Sequence, residues 1–278
     1  MVAAAPGRQC GKREGCAVTA APLLAVHGLA VRFGGLTAIE DLSLEVRKGE
    51  VLALIGPNGA GKTSAFNAIT GYLAPSAGGI VFNGVRVNGL KPHRIAGLGL
   101  VRTFQKTSVF SGRSALENIL IGLHLRSTQP SLAILLGLPS VAREEKRLEA
   151  EARQILAFIG LGARAFDLGN ALPYGEQRLL EIAVALAAKP KLLLLDEPVS
   201  GMNPVETESF MAKLAEIRAL GITVLLVEHD MKMVMGVSDR IVCLNQGRVI
   251  ASGTPAQIQR DPEVIRAYLG EKYAHAHG

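Results

Sequence analysis

Apolar and polar residues alternate in the first part of the chain, over residues 23–33 and again over 42–46. A period of two predicts strands that are covered on one face. A continuous apolar run at 51–55 predicts a buried strand, and a further short strand at 79–82 ends in the hairpin signal at 83–84, Asn-Gly. These short strands predict an antiparallel β region near the N-terminus.

The pattern changes to a helical period between 114 and 162. One apolar stripe lies beneath a charged face, and it consists of Leu148, Ala152, Ile155, Leu156 and Ile159. Helices and apolar strands then alternate: helices at 176–188 and 207–220, strands at 192–195 and 222–227, and a last hairpin at 240–244 and 248–251. This order predicts βαβ connections and a parallel sheet behind a helical subdomain.

Composition narrows the class of protein. Of the 278 residues 49% are apolar, yet no window reaches the roughly 18 uninterrupted apolar residues of a membrane span; the nearest, 132–142, is interrupted by Gly137 and Pro139. Three cysteines without a CxxC spacing predict reduced thiols and a cytosolic setting, and residues 1–22 predict a flexible tail. The net charge of +6 suits nucleic acid, an anionic membrane surface or phosphate ligands, and charge alone does not choose among them.

A phosphate-binding loop follows the strand at 51–55. The segment matches GxxxxGK[ST] and opens a helix that we expect to end near Gly71. Glycines let consecutive backbone N–H groups point at a triphosphate at the positive end of the helix. Lys62 supplies a cation for the β- and γ-phosphates, and the Thr63 hydroxyl can coordinate Mg²⁺. The predicted ATP-binding residues here are Gly56, Pro57, Asn58, Gly59, Ala60, Gly61, Lys62, Thr63 and Ser64.

A pair of carboxylates follows the apolar strand at 192–195. Asp196 would lie at the carboxyl edge of the sheet, where it can hold Mg²⁺, and Glu197 is a candidate base that orients water. Adjacent carboxylates repel each other unless a cation or a phosphate-bound metal is near, which makes the pair a poor structural choice. Taken alone, the pair is equally compatible with a plain strand end.

Together these motifs resemble an ABC-type ATPase subunit over about residues 23–270. The resemblance implies an α/β P-loop NTPase (RecA-like) core with an N-terminal antiparallel β subdomain and an inserted α-helical subdomain at about 114–175. Short tails at 1–22 and 271–278 flank this domain. It also implies that ATP and Mg²⁺ are bound between two subunits, with Glu197, His229 and Lys62 as the catalytic residues.

Further positions receive roles from the same resemblance. Gln105 matches the glutamine that contacts Mg²⁺ and the attacking water, His229 matches the histidine that contacts the γ-phosphate, and Phe33 matches the aromatic that stacks on adenine. Each has an ordinary alternative: a polar strand end, a loop histidine and a core aromatic, respectively. Their joint order along the chain favours the ATPase.

The family signature, usually LSGGQ, corresponds to residues 172–176 and includes the predicted nucleotide contacts Tyr174, Gly175 and Glu176. This segment opens a helix whose N–H groups can face the γ-phosphate of a nucleotide held by a second subunit. Pro173 replaces the serine of the signature, and losing its charge-assisted hydrogen bond costs about 1.5–3 kcal/mol. Asn203 stands where the family usually has the aspartate of a later loop.

The finer resemblance is to the ATP-binding subunits of branched-chain, hydrophobic amino-acid importers. It rests on residues 102–105, 174–175, 201–204, 228–231 and 268–271. The implied partners are a second ATPase subunit, integral-membrane permease subunits and, indirectly, a periplasmic or extracellular substrate-binding protein, which would put the chain at the cytoplasmic face of the membrane. Urea or amide uptake and lipopolysaccharide export remain open, as does a regulatory module with little hydrolysis.

An ATPase that acts on nucleic acid is a different class of protein with the same engine. It is disfavoured because the sequence has neither a long heptad insertion nor a basic cluster interleaved with aromatics. We therefore expect no nucleic-acid partner.

Overall fold

A computed structural model describes residues 21–103, 109–124 and 139–268. The strands are β1 Leu24–Phe33, β2 Leu36–Val46, β3 Val51–Ile55, β4 Ala77–Phe82, β5 Val85–Arg86, β6 Leu100–Arg102, β7 Leu192–Asp196, β8 Thr223–Val227, β9 Arg240–Asn245 and β10 Arg248–Gly253. The α-helices are α1 Lys62–Ile69, α2 Pro92–Gly97, α3 Ala115–His124, α4 Pro139–Ile159, α5 Tyr174–Ala187, α6 Pro204–Ala219, α7 Met231–Val237 and α8 Pro255–Arg260. Short 3-10 turns lie at Gly162–Arg164 and Gly169–Ala171.

One mixed sheet runs through the described part of the chain in the order β5-β4-β1-β2-β10-β9-β3-β8-β7-β6. The strands β1, β2, β4 and β5 pair antiparallel, whereas β9, β3, β8, β7 and β6 run parallel. The predicted α/β class, with an antiparallel region ahead of a parallel core, is confirmed. The carboxyl ends of β3, β7 and β8 consequently lie along one edge of the sheet.

The central strands are apolar throughout because both faces of the sheet are covered. In β3, Val51, Ala53 and Ile55 contact one buried cluster, and Leu52 and Leu54 contact the other. The first cluster holds the helices α3, α4 and α5, and four residues of the predicted stripe are buried in it, while Ile155 is partly buried.

Cys243 belongs to the same cluster, and burial raises the pKa of its thiol to about 11. At neutral pH this thiol is therefore a protonated core group.

Some boundaries differ from the sequence prediction for local reasons. β2 begins at Leu36, six residues earlier than predicted. Residues 36–41 are mostly exposed and are held by backbone pairing with β1, so they show no hydrophobic alternation. The helix α6 begins at Pro204, since Asn203 caps it, and β6, α2, α7 and α8 are too short to show a period. No helix among the described residues has the length and apolar composition that crossing a membrane requires.

The domain boundaries stay predictions. Residues 1–20 of the first predicted tail and the whole of the second lie outside the described residues.

Candidate active site

The phosphate loop connects β3 to α1, and close backbone approaches require two of its glycines, Gly56 and Gly61. Gly56 and Gly61 have φ angles of 149° and 105°. A Cβ on Gly56 would lie 2.0 Å from the carbonyl oxygen of Leu244, and one on Gly61 would lie 2.5 Å from that of Ala38. The loop therefore folds against β9 and β2 in a way that only glycine permits.

Gly56→Ala is expected to distort this loop, because the added Cβ meets backbone, which cannot move aside as a side chain can. ATP affinity should fall by about tenfold or more, since the N–H cradle loses its shape. Nucleotide binding measured by titration calorimetry checks the result. Gly79→Ala is the matched control, because a Cβ there meets nothing within 4 Å; equal affinities in the two variants would contradict the expectation.

Lys62 is buried at the start of α1 and turns its ammonium group back onto the loop. Its Nζ donates to the carbonyl oxygens of Gly56 at 2.5 Å and Pro57 at 2.9 Å. Thr63 is exposed and Ser64 half-buried beside it. A cation and two hydroxyls thus lie at the mouth of the N–H cradle, which is the donor set that a nucleotide triphosphate needs.

A cleft of about 360 Å³ opens over the loop. Its lining residues come from three separate parts of the chain: Phe33, Leu36, Thr37, Ala38, Asn58, Gly59, Ala60, Gly61, Lys62, Thr63, Ser64, Glu197 and His229. The Phe33 side chain is 50% exposed, so it is not a core aromatic. Its position at the cleft leaves the ring available for stacking on a flat base.

Glu197 and His229 reach the cleft from the carboxyl ends of the neighbouring strands β7 and β8. His229 Nε2 lies 2.8 Å from Glu197 Oε1. Glu197 has a φ of +48°, a left-handed conformation that is unfavourable for a residue with a side chain, and its N–H donates to the carbonyl of Val227. The fold thus holds Glu197, the candidate general base, in a left-handed backbone conformation beside the cleft.

Asp196 is buried and has a cationic partner that the sequence analysis missed. Nη2 of Arg102 donates to Asp196 Oδ2 at 2.6 Å, and Nη1 donates to Asn67 Oδ1 at 2.7 Å. Adjacent carboxylates were expected to need a cation or a phosphate-bound metal nearby, and the guanidinium of Arg102 is a cation in contact with one of them. Asp196 points to Arg102 while Glu197 points to His229, so the two carboxylates have separate partners. Arg102 was noted only as part of a subfamily motif, and nothing local indicates its partner 94 residues away.

The signature segment lies outside this cleft. Tyr174 donates to the Ser200 carbonyl at 2.9 Å and accepts from Arg178 at 2.8 Å. Gly175 is buried so closely that a Cβ would lie 3.0 Å from Glu206. Glu176 lies in the first turn of α5, whose N-cap, Pro173, makes no side-chain cap hydrogen bond. Within one chain the structure thus does not bring Tyr174, Gly175 and Glu176 to the phosphate loop.

Asn203 caps a helix, a role that its correspondence to the family's aspartate did not predict. Its side chain accepts from the backbone N–H groups of Val205 and Glu206, and Glu206 accepts from the N–H of Asn203. This capping box fixes the start of α6.

Among the described ranges, no cluster of three or more His, Cys, Asp or Glu side chains could hold a metal ion. Mg²⁺ commonly takes only one or two protein ligands and completes its shell with phosphate oxygens and water. The exposed Thr63 hydroxyl fits that arrangement, whereas the Arg102 contact engages one oxygen of Asp196. Gln105, the third predicted metal contact, lies outside the described residues.

Comparison with known proteins defines the class. The family profile described as "ABC transporter" matches residues 39–200, and a second, "Branched-chain amino acid ATP-binding cassette transporter", matches 248–274. The chain belongs to the ABC transporter family and is an ATPase subunit that binds ATP and couples its hydrolysis to transport.

Particular relatives narrow the comparison. The chain is 45% identical over 251 residues to the high-affinity branched-chain amino acid transport ATP-binding protein BraF of Pseudomonas aeruginosa, covering 90% of this chain and 98% of BraF. It is 46% identical, with the same coverage, to LivG of Salmonella typhimurium, which carries the same description. A solved ATP-binding cassette of an ABC transporter in its ADP conformation superposes with a TM-score of 0.79 at 31% identity, covering 90% of this chain and 100% of that one.

Proposed function

We propose that this chain hydrolyses ATP to power an importer of branched-chain, hydrophobic amino acids. The proposal of ATP hydrolysis rests on one observation: the phosphate loop and the Glu197–His229 pair line the same cleft. The cargo follows from the relatives at 45–46% identity and from the profile at 248–274. The cargo would pass through separate membrane subunits, so no residue of this chain selects it directly.

ATP binds with its phosphates on backbone N–H groups of the phosphate loop, to which Pro57 contributes none, and with its base against Phe33. Lys62 neutralises the β- and γ-phosphates, and Ser64 lies beside them at the cleft mouth. Thr63 and Asp196, together with Gln105, would hold Mg²⁺, which when bound supplies charge neutralisation between the phosphates.

In the hydrolytic step Glu197 accepts a proton from a water molecule whose oxygen attacks the γ-phosphorus. The new P–O bond forms as the bond from the γ-phosphorus to the bridging oxygen breaks, leaving ADP and inorganic phosphate. His229 orients Glu197 through their 2.8 Å contact and reaches the γ-phosphate side of the cleft. Glu197 directly follows β7 and His229 lies two residues after β8, so both residues lie in loops that begin at the ends of rigid strands.

Tyr174, Gly175 and Glu176 lie away from the cleft of their own chain, and this supports the proposal that they contact a nucleotide held by a second subunit. Two subunits would then close on ATP, and the movement would pass through Gln105 and the helical subdomain to permease subunits. A substrate-binding protein would deliver the cargo on the far side, with the ATPase peripheral to the cytoplasmic face of the membrane.

Reconstitution tests this function as a whole. The chain, its co-encoded membrane subunits and their binding protein are incorporated in lipid vesicles, and ATP-dependent uptake of radiolabelled leucine is compared with uptake of urea. We expect leucine uptake that stops when the ATPase carries Lys62→Ala. Uptake of urea without leucine would contradict the proposed cargo while leaving the ATPase assignment intact.

Pro173→Ser is expected to increase ATPase activity at low ATP concentration. A serine at this N-cap supplies a hydroxyl for the γ-phosphate of the partner's nucleotide, and one such hydrogen bond is worth about 1.5 kcal/mol or more, about tenfold in kcat/KM. Phosphate release measured at subsaturating ATP checks this. Pro173→Ala is the control, since it removes the proline ring without adding a hydroxyl; equal rates for the two variants would contradict the expectation.

A further inference from the structure

A buried carboxylate lies behind the Glu197–His229 pair. Glu228 directly follows β8 and is 2% exposed. Within residues 21–103, 109–124 and 139–268, no ion pair involves Glu228, so no lysine or arginine compensates for its burial there. Such a group costs free energy to bury unless hydrogen bonds replace the water that it loses. The burial of Glu228 therefore depends on hydrogen bonds from its surroundings.

Three backbone N–H groups satisfy this carboxylate. The N–H of Val199 donates to Oε1 at 2.9 Å, and those of His229 and Asp230 donate to Oε2 at 2.8 Å and 3.3 Å. A carboxylate group can accept hydrogen bonds at both of its oxygens, so these two oxygens can accommodate all three N–H donors. Among the described residues, the hydrogen bonds to the side chain of Glu228 thus all come from backbone groups.

The donors belong to two different loops. Val199 lies two residues after Glu197 in the loop that joins β7 to α6, whereas His229 and Asp230 lie in the loop that joins β8 to α7. One side chain consequently ties together the loops that carry the two proposed catalytic residues. Glu197 has a strained φ of +48°, and a strained backbone persists only where its surroundings impose it.

We propose that Glu228 is a positioning residue that holds these two loops so that His229 Nε2 stays within hydrogen-bond distance of Glu197. The proposal rests on the proposed roles of Glu197 and His229 in hydrolysis. Glu228 does not line the nucleotide cleft, so it acts through the loops and not on the nucleotide itself. Its loss should consequently slow turnover while sparing ATP binding.

Glu228→Gln in the full-length chain tests this directly, because the amide keeps the shape and replaces one acceptor with an NH₂ that faces an N–H donor. We expect kcat to fall by about tenfold or more and the KM for ATP to change by less than about threefold, since the phosphate loop is untouched. Glu50→Gln is the matched control. Glu50 is also a buried carboxylate, held by the Arg47 N–H and by Arg240 at the opposite edge of the sheet.

The control separates positioning from stability. Glu50→Gln is expected to lower the melting temperature but to leave kcat within about twofold of the parent. If Glu228→Gln loses no more kcat than Glu50→Gln, Glu228 is only structural and the proposal is overturned. If the Glu228→Gln protein does not fold, Glu228→Asp replaces it in the comparison with Glu50→Gln, because the shorter side chain reaches the two loops less well. A kcat equal to that of the parent in the Glu228→Asp protein would also overturn the proposal.

A double-mutant cycle identifies the residue through which Glu228 acts. If Glu228 positions the pair, His229→Ala with Glu228→Gln should be no slower than His229→Ala alone, whereas independent effects would multiply and contradict positioning. If neither His229→Ala nor Glu197→Gln lowers kcat, the proposed catalytic roles fail and positioning fails with them. If both lower kcat while Glu228→Gln does not, only positioning fails.

Discussion

Glu197→Gln should reduce kcat for ATP hydrolysis by about 10²–10⁴-fold while leaving ATP affinity close to that of the parent. The amide has the shape of the carboxylate and can still contact His229, but it cannot accept a proton from water. It also leaves untouched the loop that holds the phosphates. Phosphate release at saturating ATP gives kcat, and titration calorimetry gives the dissociation constant.

The same variant should favour the ATP-bound assembly of two subunits, since turnover no longer reopens it. Size-exclusion chromatography with and without ATP measures this. Glu208→Gln is the control, because Glu208 is an exposed carboxylate paired only with Lys232 among the described residues. A kcat within about twofold of the parent in the Glu197→Gln protein would remove this residue from the role of base.

Arg102→Met should destabilise the fold strongly. The Arg102–Asp196 pair is buried, with 7% and 4% of the side chains exposed, and removing one partner leaves a buried charge without compensation. Breaking such a pair costs about 3–5 kcal/mol, which lowers the melting temperature of a domain of this size by about 10 °C. Methionine retains apolar contact with the Phe66 ring, over which the guanidinium lies at 5.6 Å. Thermal unfolding followed by circular dichroism measures the change.

Two further variants identify the cause of that loss. Lys232→Met makes the same kind of change at an ion pair whose side chains are 73% and 66% exposed, and it should shift the melting temperature far less. Adding Asp196→Asn to Arg102→Met removes the unpaired charge and should recover part of the stability. A loss in Arg102→Met no larger than in Lys232→Met would show that the buried pair does not stabilise the fold.

The phosphate loop and its flanking elements could be predicted because their causes are local. Strand β3 is a continuous apolar run, the loop needs glycines for its backbone angles, and the helix begins at the loop's own lysine. The same holds for the carboxylates at the end of β7 and for the apolar stripe of α4. Short elements such as α2 were missed because six residues do not complete two helical turns.

Partners across the sheet could not be predicted in the same way. Arg102 meets Asp196 only because β6 pairs with β7, and Glu228 reaches Val199 only because β7 pairs with β8. The signature residues appeared in the sequence as nucleotide contacts, yet their position away from their own phosphate loop depends on how α5 packs.

The sequence by itself therefore determined the class of fold, the phosphate loop and the identity of the candidate acid and base groups, since these depend on periodicity and on contiguous residues. The tertiary structure decided which charged side chains compensate one another, where the loops at the strand ends are tied, and which motifs share a cleft. The physical reason is that a hydrogen bond or ion pair depends on distance in space, and strand order brings together residues that are 29 to 94 positions apart.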